Sequence, residues 1–135
     1  MALTKKGEHS YGDSRADLRP LLEQYSRENA YPVETMASLA CECGVDVLEL
    51  LVDDDAGVAV QSCPACEKQQ PLGDSAEYLD EADPDVCECL CGEERFEIST
   101  GAAYYSDRTT VRWFYVACRC VACGLVGCYG DWKTP

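Results

Sequence analysis

Eight of the eleven cysteines in this chain fall into one pattern used twice. Cys41-Glu42-Cys43-Gly44 is followed by Cys63-Pro64-Ala65-Cys66, and Cys89-Leu90-Cys91-Gly92 by Cys120-Val121-Ala122-Cys123-Gly124. Two close-spaced thiol pairs, separated by enough chain for a hairpin, are what a tetrahedral four-thiolate metal site requires. A chain of 135 residues patterned this way reads as two metal-nucleated modules in tandem. Each cysteine-bounded segment is near the size at which an apolar core alone rarely suffices. A structural zinc ion supplies what is missing, on the order of 10–16 kcal/mol of apparent folding energy at neutral pH.

The repetition extends beyond the cysteines. Leu48-Glu49-Leu50 recurs as Phe96-Glu97-Ile98 at an offset of 48, and Leu72-Gly73-Asp74 as Tyr129-Gly130-Asp131 at an offset of 57. The second offset is larger because the second repeat carries nine more residues between its cysteine pairs. Such self-similarity marks one supersecondary unit used twice, which predicts two units packed face to face about a pseudo-twofold axis. The repeat also sorts the cysteines. Cys87, Cys118 and Cys128 align with Leu39, Gln61 and Pro71, so they read as buried non-ligands. Cys87 and Cys118 stand two residues from proposed ligands, which keeps ligand swapping and redox sensing as alternatives for the spare thiols.

Along the chain, residues 1–36 form an N-terminal segment with an amphipathic helix over about 17–29. Asp17 is placed to cap it, Pro20 falls in its first turn, and Leu18, Leu21, Leu22 and Tyr25 form its apolar stripe. That stripe predicts docking on the sheet of one repeat. The first repeat occupies 37–74, an acidic linker 75–86 with a short helical turn at 75–81, and the second repeat 87–135. Three antiparallel strands are expected in each, at 45–52, 58–62 and 68–72, then at 95–100, 110–117 and 125–129. Alternation is clearest on the second return strand. There Val111, Trp113, Tyr115 and Ala117 face one way, and Arg112, Phe114 and Val116 the other. The tip of that longer hairpin lies near 106–108.

Over residues 40–131 these motifs resemble the zinc ribbons, in which two cysteine turns clamp a metal at one end of a three-stranded sheet. Gly44, Gly92 and Gly124 match the glycines of that family's turns. Two departures stand out: the first pair of each repeat is Cys-x-Cys instead of Cys-x-x-Cys, and Glu67 replaces the glycine after Cys66. The segment from Trp113 to Trp132 also resembles small uncharacterised bacterial zinc-ribbon proteins. The resemblance implies a small, metal-stabilised, mainly β (α+β) protein: two tandem three-stranded zinc ribbons preceded by one N-terminal helix. It also implies two structural Zn2+ ions, held by Cys41, Cys43, Cys63 and Cys66 and by Cys89, Cys91, Cys120 and Cys123. Thiolates accept iron as well, so a rubredoxin-like iron site stays open as the second metal option.

Net charge is −14, and the excess is local. Residues 37–86 carry thirteen acidic side chains against Lys68 alone, whereas the segments on either side are close to neutral. Such a surface repels phosphate backbones, whose binding depends on Lys and Arg. No membrane-length apolar run and no export signal are visible, so a cytoplasmic protein with reduced thiols is expected. Four thiolates close a metal's coordination sphere, the one histidine (His9) has no ligand spacing to a cysteine, and no nucleophile or phosphate-loop motif occurs. A non-catalytic protein is therefore expected. The second repeat concentrates aromatics, and Tyr104, Tyr105, Arg108, Arg112 and Trp113 are the candidate partner-binding residues. An acidic adaptor or inhibitor contacting another, basic protein is the first reading. A nucleic-acid-associated ribbon acting through that Arg/aromatic hairpin is the alternative.

Overall fold

The computed structural model describes residues 4–6, 9–29, 31–53, 55–73, 75–107 and 109–133. Ten strands and one α-helix follow in the order β1 (Thr4–Lys6), β2 (His9–Tyr11), α1 (Leu18–Asn29), β3 (Thr35–Ser38), β4 (Glu49–Asp53), β5 (Val58–Ser62), β6 (Gln69–Pro71), β7 (Asp85–Val86), β8 (Phe96–Tyr104), β9 (Val111–Cys120) and β10 (Leu125–Lys133). All pairing is antiparallel, in two sheets ordered β1-β2-β10-β9-β8-β3 and β6-β5-β4-β7.

Each repeat supplies three strands, but the sheets are not three-stranded. One has six strands and the other four. The additional strands come from the segments that precede each first cysteine pair, and those segments are exchanged. β3, which leads into Cys41, pairs with β8 of the second repeat, while β7, which leads into Cys89, pairs with β4 of the first. The register obeys the repeat: Ser38 faces Ser99 and Ala37 faces Thr100, as Val86 faces Leu51 and Asp85 faces Val52. The Leu39 N–H donates to the Ile98 carbonyl at 2.9 Å and the equivalent Cys87 N–H to the Leu50 carbonyl at 2.8 Å. Between them Leu48 and Phe96, the same position in the two repeats, exchange two hydrogen bonds of 2.8 Å. A pseudo-twofold axis therefore runs between Leu48 and Phe96, the isologous arrangement in which a surface meets its own copy.

Alternation along β9 has the predicted result from Trp113 to Ala117, but a bulge opposite Ala103 and Tyr104 breaks it before that. Arg112 lies over Tyr31, which packs on Trp113, and Val111 lines one groove with Phe114. Tyr115 and Ala117 turn to α1, where they pack with Leu18, Leu22 and Val126, and Trp113 packs at that cluster's edge. Val116 and Cys118 turn to the other sheet and share a core with Phe96, Ile98, Leu48, Leu50, Ala59 and Leu72, bordered by Phe114. The molecule is thus layered as helix, six-stranded sheet, four-stranded sheet. Trp113 and Tyr25 both donate to the Asp131 carboxylate, at 2.9 and 3.0 Å, and Tyr25 meets Tyr115 edge to face at 6.2 Å, which pins the helix to the sheet.

The helix start differs from expectation. Ser14 caps a 3-10 turn over Arg15–Asp17, and α1 begins only at Leu18. Asp17 does not cap from outside: its buried carboxylate reaches back to the N–H groups of Asp13 and Ser14 at 2.7 and 3.2 Å. A Ser-x-x-Asp arrangement uses one carboxylate for several orphan donors, so it wins over a single Asp cap. The same turn aims Arg15 at the seam between the repeats, where it donates to the carbonyls of Leu39, Ile98 and Asp46 at 3.2, 3.3 and 2.6 Å. The linker holds 3-10 turns at Ser75–Glu77 and Leu79–Glu81, where a helical turn was predicted.

Candidate functional site: two four-thiol centres

Each cysteine pair sits on a tight turn that the backbone closes in the same way in both repeats. The Cys41 N–H donates to the Val45 carbonyl at 2.8 Å and the Gly44 N–H to the Cys41 carbonyl at 2.9 Å. Cys89 with Glu93 and Gly92 with Cys89 repeat this at 2.8 Å. Such a turn needs positive φ, which Gly44 (99°) and Gly92 (95°) supply without steric cost. The second turns match as well. The Glu67 N–H reaches the Cys63 carbonyl at 2.8 Å, and the Gly124 N–H the Cys120 carbonyl at 2.9 Å. Here the departure seen in the sequence has a structural counterpart. Glu67 holds φ at 66°, the one non-glycine residue with positive φ among those described, where its equivalent Gly124 has 83°.

These turns gather the thiols into two quartets, Cys41/Cys43/Cys63/Cys66 and Cys89/Cys91/Cys120/Cys123, with the sulfurs of each within 4.8 Å of one another. Paired sulfurs lie 3.4 Å (Cys41–Cys66), 3.6 Å (Cys43–Cys63), 3.5 Å (Cys89–Cys123) and 3.5 Å (Cys91–Cys120) apart. A disulfide would bring sulfurs to about 2.05 Å, whereas a tetrahedron with Zn–S bonds of about 2.3 Å has edges of about 3.8 Å. The donor set and spacing therefore fit a four-coordinate metal ion. Each quartet comes from a single repeat, although the strands leading into it are exchanged. Within each, two cysteines are buried and two lie at the surface.

The turns also prepare thiolates. The backbone N–H of Cys66, then that of Ala65, donates to the Cys63 sulfur and draws its thiol down to about 7. The Glu93 N–H lowers Cys91 in the second centre, while burial pushes Cys89 up to about 12. A proton held on one sulfur next to a stabilised thiolate is what a divalent cation displaces on binding.

The three remaining cysteines stand apart from both quartets. Cys118 is fully buried in the core between the sheets, with its thiol pushed well up by burial. Cys128 is pushed up to about 12, again mainly by burial. Cys87 packs at the edge of the same core as Cys118.

The candidate partner-binding residues have intramolecular partners. The Arg112 guanidinium stacks over Tyr31 at 3.7 Å, lies 5.3 Å from the Tyr105 ring and donates to the Tyr31 hydroxyl at 2.8 Å. Trp113 is held by Asp131, and the Tyr104 hydroxyl bonds to Thr35 at 2.9 Å. Arg108 lies outside the described residues, as does the side chain of His9. A groove of about 810 Å3 runs beside β3 and beneath Phe114, lined mainly by apolar groups, with Glu77 its single carboxylate among the described residues. Arg15 and Asp131, which hold the seam and the helix, carry no motif. Their only sequence signal is a charge adjoining an apolar periodic segment. Among the described residues no helix is long and apolar enough to cross a membrane. No known protein family, curated protein or solved structure matches the chain.

Proposed function

We propose that this is a non-catalytic, double zinc-ribbon protein in which two zinc ions hold the fold and the acidic surface engages a basic protein, as an adaptor or inhibitor. The observation that carries it is the pair of four-sulfur quartets, each joined to the core through its buried members, Cys41 and Cys63 or Cys89 and Cys120. Four protein thiolates leave a metal no open position for water or substrate, so the metal's contribution is folding energy. Zinc is favoured over iron because the Cys-x-Cys turns resemble rubredoxin less well. Ribbons at 37–74 and 87–135, joined by the acidic segment 75–86, and a reducing compartment such as the cytoplasm complete the proposal. The charge of −14 supports a basic partner. The intramolecular contacts of Arg112, Trp113 and Tyr104 count against the Arg/aromatic hairpin as a nucleic-acid surface, and the acidic charge favours a protein partner.

Native mass spectrometry should count two zinc ions per chain, and excess EDTA should abolish the circular dichroism of a folded β protein. A sharp melt retained after verified metal loss, or a red protein with thiolate-to-iron absorption, would overturn the structural-zinc reading. Retention of single-stranded DNA or RNA on a filter at low salt would overturn the protein-partner reading.

A further inference from the structure

The repeat supplies an internal control for what each metal centre needs. Between the first two ligands of the first centre stands Glu42, and Lys68 forms an ion pair with it. At the same place in the second centre stands Leu90, which is 76% exposed. On the facing turn of that centre, Val121 is 37% exposed where the first centre has Pro64. Two of the three exposed large hydrophobic residues among those described thus crown one metal centre, and the other centre shows that its turn can be built without them. The rim around them is anionic. Arg95 is paired with Glu93 at 3.2 Å and Arg119 with Glu97 at 2.9 Å, so these two cations, which flank the tip among the described residues, are already taken. Exposed Glu88 and Glu94 make no ion pair among the described residues, and a divalent ion on four thiolates leaves a further charge of about −2.

An apolar centre inside a charged rim is the anatomy of a protein contact. We propose that the tip of the second centre, Leu90 with Val121, is the docking surface for a basic polypeptide segment that carries an apolar side chain. The charge of the rim selects the basic segment, and Leu90 selects the apolar residue within it. This deepens the acidic-adaptor reading and rests on it.

The test uses the zinc-loaded chain and two fluorescein-labelled lysine-rich peptides, one with a central leucine and phenylalanine and one with serine at both places. Fluorescence anisotropy should show the apolar peptide bound at least tenfold more tightly than the serine peptide. Leu90→Glu, which copies the first centre, should retain two zinc ions by native mass spectrometry and lose at least tenfold in affinity for the apolar peptide. Glu88→Lys with Glu94→Lys should lose a similar factor by reversing the rim. If Leu90→Glu binds both peptides as the parent does, the docking surface is refuted while the acidic-adaptor reading survives. If neither peptide binds the parent chain, both fall. Dimerisation of the parent that Leu90→Glu abolishes would assign the tip to a second copy and overturn the basic occupant.

Discussion

Exchange of β3 and β7 should make the two four-thiol centres thermodynamically dependent, and the dependence can be sized. The perturbation is Cys89→Ser with Cys91→Ser, which removes half the ligands of the second centre and leaves the first quartet untouched. Beyond the β3–β8 and β4–β7 ladders themselves, four hydrogen bonds of 2.8–2.9 Å cross the seam at Leu39–Ile98, Cys87–Leu50 and the reciprocal Leu48–Phe96 pair. At about 1 kcal/mol each, they tie the repeats by about 4 kcal/mol before any burial is counted. Leu48, Leu50, Phe96 and Ile98 are all fully buried at that seam. If disordering the second centre releases half of the bonded contribution, the first centre loses about 2 kcal/mol, or about 30-fold in zinc affinity. Competition with a chromophoric chelator measures that affinity directly. Native mass spectrometry of the parent chain at one equivalent of zinc supplies the second readout. Coupled centres populate the empty and doubly loaded chains, whereas independent equal centres leave about half of the molecules singly loaded. A first-centre affinity within threefold of the parent, together with that statistical distribution, would refute the interlock.

Glu67→Gly should stabilise the zinc-loaded chain. It relieves a left-handed backbone cost of about 1–2 kcal/mol and returns roughly 0.5–1 kcal/mol in unfolded-state entropy, so the thermal midpoint should rise by roughly 1–3 °C. An unchanged or lower midpoint would count against strain at that turn. Asp131→Ala strips the shared acceptor from Trp113 and Tyr25. It should cost about 2–4 kcal/mol and speed hydrogen exchange in α1 before the strands of the six-stranded sheet. Equal acceleration throughout would show that the carboxylate does not act on the helix. Alkaline pH should destabilise the fold. Burial raises Cys128 to about 12 and raises Tyr25 and Tyr129 as well. Their stabilising contribution is complete below the unfolded values of about 8.5 for a thiol and 10 for a phenol, and it is lost as pH climbs toward the folded ones. The melting temperature of the loaded chain should therefore rise toward about pH 8.5, where the unfolded chain's ligand thiols lose the protons that a metal displaces, and decline above it as the buried thiol and phenols take over. A continued rise above about pH 10 would contradict the sign.

What the sequence made legible is what local chemistry encodes. Thiol spacing identified the two quartets. Alternation at Trp113–Ala117 named the two faces of β9, though a bulge overrides it at Val111 and Arg112, and the stripe Leu18, Leu21, Leu22, Tyr25 located α1. Exchange of the leading strands was not legible, because a short edge strand carries little signal of its own. Asp85-Val86 is a two-residue strand inside an acidic connection, and only the opposing Val52 and Leu51 make it one. The N-terminal strands were missed for the same reason: β2 is three residues long and joins the sheet only through Leu125 and Val126 of β10, opposite Tyr11 and Ser10. The aromatic hairpin was ambiguous because an arginine over a tyrosine has the same composition whether it awaits a ligand or, as Arg112 does over Tyr31, already has its partner.

The pseudo-twofold frame gives these asymmetries a common cause. Nine additional residues in the second repeat carry β8 and β9 past the length of β4 and β5, and Trp113 and Tyr115 stand where the first repeat has Ala56 and Val58. Those two rings bring the apolar area, and with Asp131 the hydrogen bonds, that seat α1. The helix therefore covers one sheet and not its counterpart. The docked helix in turn positions Arg15 at the seam, where a single guanidinium reaches carbonyls from both repeats. A symmetric pair of sheets would have no such clasp. It follows that shortening the second hairpin should loosen the seam as well as the helix, and that the metal centres should feel an insertion lying outside both of them.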